Sequence, residues 1–262
     1  MSVTASEDAL ELLCCENLES DGTCRAVEDK RLLDDERVLK NMMDSEIQHM
    51  PTCNYFSCVQ NDLTPRMRKI LADWMLEVCE DQGCSDDVFP LSMNLVDRFL
   101  CSVTLSKSQL QLLGTVALFI ASKIKETRPL SAEVLVELTD RSVSLDDVMQ
   151  WELFVLNRLK WDLNAVTAHD FVDYLVRRLD PLPSGLSVEQ VKAHAKTFIT
   201  LCATVPFPGT LRQPPKWSRS RAQPEGRERR WQASWRPLVV VEADEVAKTK
   251  LDAKKAMLTN SR

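Results

Sequence analysis

A run of apolar and small residues at positions 112–121 constrains the fold of this chain more than any other segment. If the run forms a helix, it presents no polar face before Ser122, so the helix must be buried on all sides. The run is shorter than the roughly 18 residues that a membrane span requires, and Gln109 and Lys123 bound it closely. The segment therefore predicts the central helix of a soluble helical domain.

The composition of the 262-residue chain favours an all-α protein. Its hydrophobic content of 44% can bury one substantial core or two modest ones, and only 6 glycines and 6% aromatic residues favour helix over sheet. One of those glycines, Gly114, lies inside the predicted central helix, where glycine costs about 0.5–1 kcal/mol relative to alanine. Some gain should offset this cost, so we expect another helix to cross close to Gly114.

Charge and cysteine usage limit the partners and the compartment. The formal net charge of -6 argues against nucleic acid as the main partner of the whole chain. The 9 cysteines are scattered, and the chain does not begin with a hydrophobic signal segment, so we expect a reducing compartment, the cytosol or the nucleus. No Cys-x-x-Cys pair occurs and the 3 histidines stand far apart, which favours buried or idle thiols over a zinc site.

Helix boundaries are marked along much of the chain. Thr64 and Pro65 form an N-cap and a first helical position, and Gly83 follows the last turn of the same helix. An amphipathic helix is predicted before it, over residues 34–49. Further helices are predicted over residues 88–100, 106–125, 131–139, 145–159, 168–179 and 188–203.

The helix that begins at Pro65 carries two apolar stripes. A surface helix buries one stripe, so this helix is either sandwiched or leaves one stripe free for a ligand, and the residues alone favour the sandwich. The two stripes of this helix are Met67, Ile70, Leu71, Trp74 and Val78, and Ala72, Met75, Leu76 and Cys79.

In the predicted helix over 145–159, Glu152 stands among apolar residues. It is either a surface residue at the edge of the helix or a charge held for a partner.

The two ends of the chain lack the periodicity of a packed domain. In an extended acidic arm, Leu12, Cys14 and Glu16 would project together into a partner, although a frayed helical turn is favoured from these residues alone. From Pro206 onward the chain is rich in Pro, Arg and Trp. Such a segment could bind nucleic acid, but we favour an atypical, disordered tail.

Sequence motifs of enzymes are missing. The chain has no Gly-x-Gly-x-x-Gly, no Gly-Lys-Ser/Thr phosphate loop and no Gly-x-Ser-x-Gly. The segment at 169–172 looks superficially like pieces of kinase motifs, but we interpret Asp170 and Phe171 as helix cap and core. We expect neither catalysis nor a bound cofactor.

Four segments in order resemble the cyclin box, and their order makes the match specific. They are 67–74 (MRKILADW), 93–100 (MNLVDRFL), 110–114 (LQLLG) and 121–123 (ASK). Other segments are similar to those of D-type cyclins, namely 55–60 (YFSCVQ), 74–80 (WMLEVCE), 123–127 (KIKET) and 200–204 (TLCAT).

The resemblance covers residues 10 to 204 and implies a domain organisation. We expect a flexible arm over residues 1–30, a five-helix cyclin box with a preceding helix over 31–160, an incomplete second helical cyclin box over 161–204, and the tail over 205–262. The expected continuation of the second box after Thr204 is missing, which should leave apolar surface of residues 168–203 uncovered. The only Thr-Pro is in the helix cap at Thr64, so the family's usual degradation signal in the tail is in doubt.

The resemblance also implies a function. A D-type cyclin binds and activates a cyclin-dependent kinase and directs it to retinoblastoma-family substrates, which promotes entry from G1 into S phase in the nucleus and cytoplasm. A CDK inhibitor protein is a further candidate partner. Lys123 and Glu152 match the family's pair at the kinase interface. The other matching sets are Met67, Ile70, Leu71 and Trp74 in the substrate-docking patch, and Leu12, Cys14 and Glu16 in the segment that binds the retinoblastoma pocket protein.

Because of this resemblance, we favour a partner-binding motif at Leu12, Cys14 and Glu16 over a frayed helical turn. Two alternatives stay open. One is a truncated cyclin that binds the kinase without activating it. The other is a cyclin-fold transcription adaptor that binds nucleic acid through its basic tail.

Overall fold

The computed structural model describes residues 29–178 and 187–205, all within the first of the two units into which the chain divides, Met1–Phe207. The arm motif of Leu12, Cys14 and Glu16 and the predicted tail from residue 206 onward lie outside the described residues. Over the described ranges the regular structure is helical, without strands. The helices are α1 (Lys30–Asp34), α2 (Glu36–Gln48), α3 (Tyr55–Cys58), α4 (Pro65–Asp81), α5 (Val88–Leu100), α6 (Leu110–Lys125), α7 (Ala132–Leu138), α8 (Leu145–Arg158), α9 (Val172–Val176) and α10 (Val188–Thr204).

The central helix is confirmed as α6. Its residues are buried without interruption from Leu112 to Ser122, and α4, α5, α7 and α8 all pack against it. The five helices α4 to α8 therefore form one core around α6, as the five-helix interpretation requires.

Gly114 is where α4 crosses α6. A Cβ atom on Gly114 would lie 2.6 Å from Leu71 Cδ1 and 3.2 Å from Met75 Sδ, both on α4. These distances are shorter than ordinary carbon contacts, so the two helices approach more closely than any side chain at this position would allow. The predicted close approach at Gly114 is confirmed.

We expect Gly114→Ala to lower the free energy of unfolding by about 1 kcal/mol. Overpacking costs about 1–3 kcal/mol, which exceeds the roughly 0.5–1 kcal/mol that alanine gains in a helix. Urea denaturation measures the difference. In a Leu71→Ala background the same change should become neutral or stabilising, because the methyl group then fills space. Stabilisation of the otherwise unchanged chain would show that this contact does not explain the glycine.

Most helix ends agree with the sequence. Thr64 caps α4, since its hydroxyl accepts the N–H of Met67 at 3.4 Å, and Gly83 after α4 has a φ of +63°. The predicted helix over 34–49 is α2, which begins two residues later than predicted, and α1 is a separate helix before it. Asp35 adopts an extended conformation between them, and its carboxylate accepts the N–H of Arg37 at 2.8 Å.

The second helical unit is short. The predicted helix over 168–179 is a 3₁₀ turn, Ala168–Phe171, followed by α9, and Asp170 and Phe171 are cap and core as interpreted. In α10, Thr204 is the buried residue, whereas Val188 and Phe198 are 39% and 42% exposed. These two exposed side chains agree with the expectation of uncovered apolar surface in residues 168–203.

Candidate functional site

Lys123 and Glu152 form an ion pair between the last turn of α6 and the middle of α8. The Lys123 Nζ lies 2.6 Å from the Glu152 Oε1, and the side chains are 41% and 19% exposed. The same Nζ lies 3.7 Å from the centre of the Phe119 ring, one helical turn earlier on α6. Carboxylate and ring together fix the ammonium group at the surface. The structure thus brings together two residues that stand 29 positions apart in the sequence.

Exposed apolar side chains flank Glu152 on α8. Met149 and Leu153 are 52% and 55% exposed. Contiguous apolar surface rimmed by polar residues is typical of protein interfaces. The surface of α8 with the ion pair, called here the α8 surface, consists of Lys123, Met149, Glu152 and Leu153.

Three aromatic rings pack together between α5 and α8, and one of them, Phe154, is 39% exposed. Phe154 contacts Phe99 and Trp151 edge to face, with ring centroids 5.5 and 5.6 Å apart. Phe99 is fully buried, so these rings connect α8 to the core. Such contacts contribute about 0.5–1.5 kcal/mol each beyond burial, and they hold the α8 surface in one shape.

The proposed docking patch on α4 is only partly at the surface. Ile70 is 59% exposed, and Met67 and Trp74 are half-buried. Leu71, in contrast, is 5% exposed because it packs against Gly114. The inclusion of Leu71 in an exposed stripe is therefore corrected. In that stripe Leu71 and Val78 are buried and Met67 and Trp74 are half-buried against the core, so the helix is covered on much of both stripes and Ile70 is the exposed member.

Sequence reasoning missed a buried ionic network next to this patch. Asp97 of α5 accepts hydrogen bonds from Arg68 Nε at 3.0 Å, from Arg68 Nη2 at 2.7 Å and from the Tyr55 hydroxyl at 2.7 Å. Arg68 and Asp97 are 3% and 6% exposed. Burial opposes the charge of Arg68, but Asp97 outweighs this effect and raises the pKa of the guanidinium. Burial and Asp97 also raise the pKa of Tyr55.

Arg68 also holds the end of α10. Its Nη1 donates to the carbonyl groups of Ala203 at 2.9 Å, Thr204 at 3.1 Å and Val205 at 3.3 Å. The last carbonyls of a helix have no partner within the helix, and a cation there also interacts favourably with the helix dipole. A signal was present in the sequence, since Arg68 shares the buried stripe of Ala72 and Met75 at helical spacing.

Neither a metal site nor a membrane helix is found over residues 29–178 and 187–205. No group of His, Cys, Asp and Glu side chains there could hold a metal ion. No helix in those ranges is long and apolar enough to cross a membrane.

Comparisons with known proteins identify the family of this chain. The sequence family "Cyclin, N-terminal domain" matches residues 37–164. The chain is 52% identical over 195 residues to G1/S-specific cyclin-D2 of Rattus norvegicus, which covers 74% of this chain and 66% of the rat protein. It is 50% identical over 195 residues to G1/S-specific cyclin-D3 of Homo sapiens, covering 74% of this chain and 65% of the human protein.

A solved structure is also similar, that of a viral cyclin from herpesvirus saimiri. Its TM-score is 0.58 at 32% sequence identity, and the match covers 65% of this chain and 73% of the viral chain. The chain spans slightly less than two thirds of the length of the cyclin-D2 and cyclin-D3 relatives that it matches.

Proposed function

Because this chain belongs to the D-type branch of the cyclin family, we propose that it binds and activates a cyclin-dependent kinase and directs it to retinoblastoma-family substrates. Cyclins are regulatory subunits and not enzymes, and the relatives are named for the G1/S transition. The proposed outcome is entry into S phase, with the protein acting in the nucleus and cytoplasm.

The observation that carries this proposal is the α8 surface. A lysine and a glutamate at a 2.6 Å separation offer a donor and an acceptor at one point, and exposed apolar side chains flank the glutamate. This arrangement fits a partner helix that has its own apolar stripe and polar groups. In a kinase, that helix is αC, whose placement completes the Lys–Glu pair and the magnesium site.

Substrate recruitment is proposed for two further segments. Ile70, with Met67 and Trp74 beside it, offers an apolar patch on α4 that fits a short apolar docking segment of a substrate or of a CDK inhibitor protein. The Leu12, Cys14 and Glu16 motif stays a prediction for retinoblastoma-protein binding.

A second candidate is a cyclin that binds the kinase without activating it. It is supported by α10, which leaves the apolar side chains of Val188 and Phe198 exposed. The transcription adaptor remains a weaker alternative, because its basic segment lies outside the described residues.

The deciding experiment is capture of purified cell-cycle kinases by the full chain, followed by a kinase assay on retinoblastoma protein fragments. Binding with phosphorylation supports the proposal, and binding without phosphorylation supports the second candidate. Absence of binding by a chain that circular dichroism shows to be folded would contradict both. A nucleic-acid titration at increasing salt tests the adaptor, whose affinity should fall steeply.

A further inference from the structure

The turn that ends α4 brings two cysteines together. Gly83, with its φ of +63°, reverses the chain, and the N–H of Cys84 donates to the carbonyl of Cys79 at 2.9 Å. A helix end closed in this way places the side chains before and after the turn side by side. With Gln82 as the C-cap of α4, Cys79 and Cys84 occupy the two positions, C3 and C″, whose side chains commonly meet across such a turn.

The two thiols differ in access. Cys79 is 6% exposed and belongs to the core, whereas Cys84 is half-buried and lines a cavity of about 290 Å³. Glu126, Thr127 and Arg128 line the same cavity, so its wall is polar. A small polar reagent can therefore enter beside Cys84, whereas Cys79 is buried and does not line the cavity.

The pKa shifts of the two thiols favour Cys84 over Cys79 as the nucleophile. The hydrogen bond from Cys79 lowers the pKa of Cys84, although burial and Glu126 oppose this effect. The same contact and burial raise the pKa of Cys79. Elsewhere, burial raises the pKa of both Cys53 and Cys101. Because the thiolate is the reactive form, Cys84 is the stronger candidate for attack.

We propose that Cys79 and Cys84 form an oxidation site, at which hydrogen peroxide or an organic hydroperoxide converts the two thiols into an intrachain disulfide. This inference goes beyond the proposed function and does not depend on it. In a reducing compartment such a bond is transient, and it acts as a redox sensor rather than as a structural link.

The reaction has two balanced steps. The Cys84 thiolate attacks the terminal peroxide oxygen, so an S–O bond forms, the O–O bond breaks, and the departing hydroxide, or the alkoxide of an organic hydroperoxide, takes up a proton as water or as an alcohol. The Cys79 sulfur then attacks the sulfenic sulfur of Cys84, and the sulfenic oxygen leaves as water with the Cys79 proton as the S–S bond forms. Overall the two thiols lose two electrons, which reduce one peroxide.

The disulfide would form next to a segment that is hydrogen-bonded to the end of α6, the helix that carries Lys123. The N–H of Ser85 donates to Glu126 Oε1 at 2.5 Å, which ties the segment after Cys84 to the end of α6. Lys123 lies on that last turn of α6. Oxidation therefore acts on a turn that is hydrogen-bonded to the helix carrying the proposed kinase contact.

Mass spectrometry of the full chain tests the proposal. Trypsin releases residues 70–98 as one peptide, in which Cys79 and Cys84 are the only cysteines. After peroxide treatment and alkylation, we expect this peptide to be lighter by two hydrogens and to carry no alkyl group, and a dithiol reductant should reverse the change. An unoxidised peptide 70–98 in the unsubstituted chain would overturn the proposal.

Variants separate the two steps. Cys79→Ser should stop at a sulfenic acid on Cys84 that dimedone traps, whereas Cys84→Ser should leave Cys79 reduced. Cys58→Ser is the matched control, since Cys58 is exposed, and it should leave oxidation of peptide 70–98 unchanged. We expect Cys84 to be oxidised faster than Cys58, because the contact with Cys79 lowers the pKa of Cys84 and the thiolate is the reactive form. Faster oxidation of Cys58 would contradict the assignment.

Discussion

Replacing Asp97 with alanine should lower the free energy of unfolding by about 3–5 kcal/mol, the usual loss when one partner of a buried ion pair is removed. The Arg68 guanidinium would stay buried without its countercharge, and the Tyr55 hydroxyl would lose its acceptor. Domains of this kind are stable by only about 5–15 kcal/mol, so the variant should unfold at much lower urea concentration.

A matched control lies on α4. Lys69 Nζ and Asp73 Oδ2 are 2.8 Å apart, and both side chains are about half exposed. Asp73→Ala removes the same charge from a solvated pair and should cost less than about 1 kcal/mol. If Asp97→Ala and Asp73→Ala lowered the free energy of unfolding by similar amounts, burial would not explain how much the Arg68–Asp97 pair contributes to stability.

An apolar replacement adds a second test of the network. Arg68→Met with Asp97→Leu removes both charges, and such replacements are often neutral or stabilising by about 1–4 kcal/mol where the pair has no other role. Here Arg68 also holds the carbonyl groups of Ala203 and Thr204. We therefore expect the double variant to recover part of the stability lost in Asp97→Ala, since the Tyr55 hydroxyl still lacks its acceptor, and to increase amide exchange at the end of α10. Unchanged exchange there would contradict a role for Arg68 in holding that helix.

The sequence predicted the helical core well because its signals are local. The apolar run of α6 is continuous, and caps such as Thr64 act within one turn, so both can be recognised without knowledge of the neighbours. The break at Asp35 was missed because apolar spacing continues across it, while the capping contact to Arg37 depends on a backbone conformation.

Features that depend on a second helix could not be predicted from the pattern. Leu71 was assigned to the free stripe, but the glycine at position 114 of α6 draws it into the core. Arg68 was not singled out because a charged residue normally marks an exposed face, and only Asp97 on another helix makes its burial favourable. The pairing of Lys123 with Glu152 came from family resemblance, since no pattern joins positions 29 residues apart.

Loss of either charge of the α8 surface should weaken kinase binding far more than it weakens the fold. Lys123→Ala breaks a partly exposed pair, so the free energy of unfolding should change by less than about 1 kcal/mol. If the kinase covers this pair, truncation of one charge costs about 2–5 kcal/mol of binding, which is at least about 30-fold in Kd. Titration calorimetry with a purified cyclin-dependent kinase and urea denaturation of the same samples separate the two effects.

Two companion variants show whether the kinase itself recognises these charges. Lys125→Ala removes a charge from the same turn of α6, where Lys125 Nζ lies 3.4 Å from Asp170 Oδ1, and it should leave kinase affinity within about threefold, the change expected of a charge outside the contact. The exchange Lys123→Glu with Glu152→Lys restores an ion pair inside the cyclin but reverses both charges toward a partner. Recovery of kinase affinity in this exchange would mean that the pair only shapes α6 and α8, whereas continued weak binding would mean that the kinase contacts the charges directly. Unchanged affinity in both Lys123→Ala and Glu152→Ala would remove the α8 surface as the kinase contact.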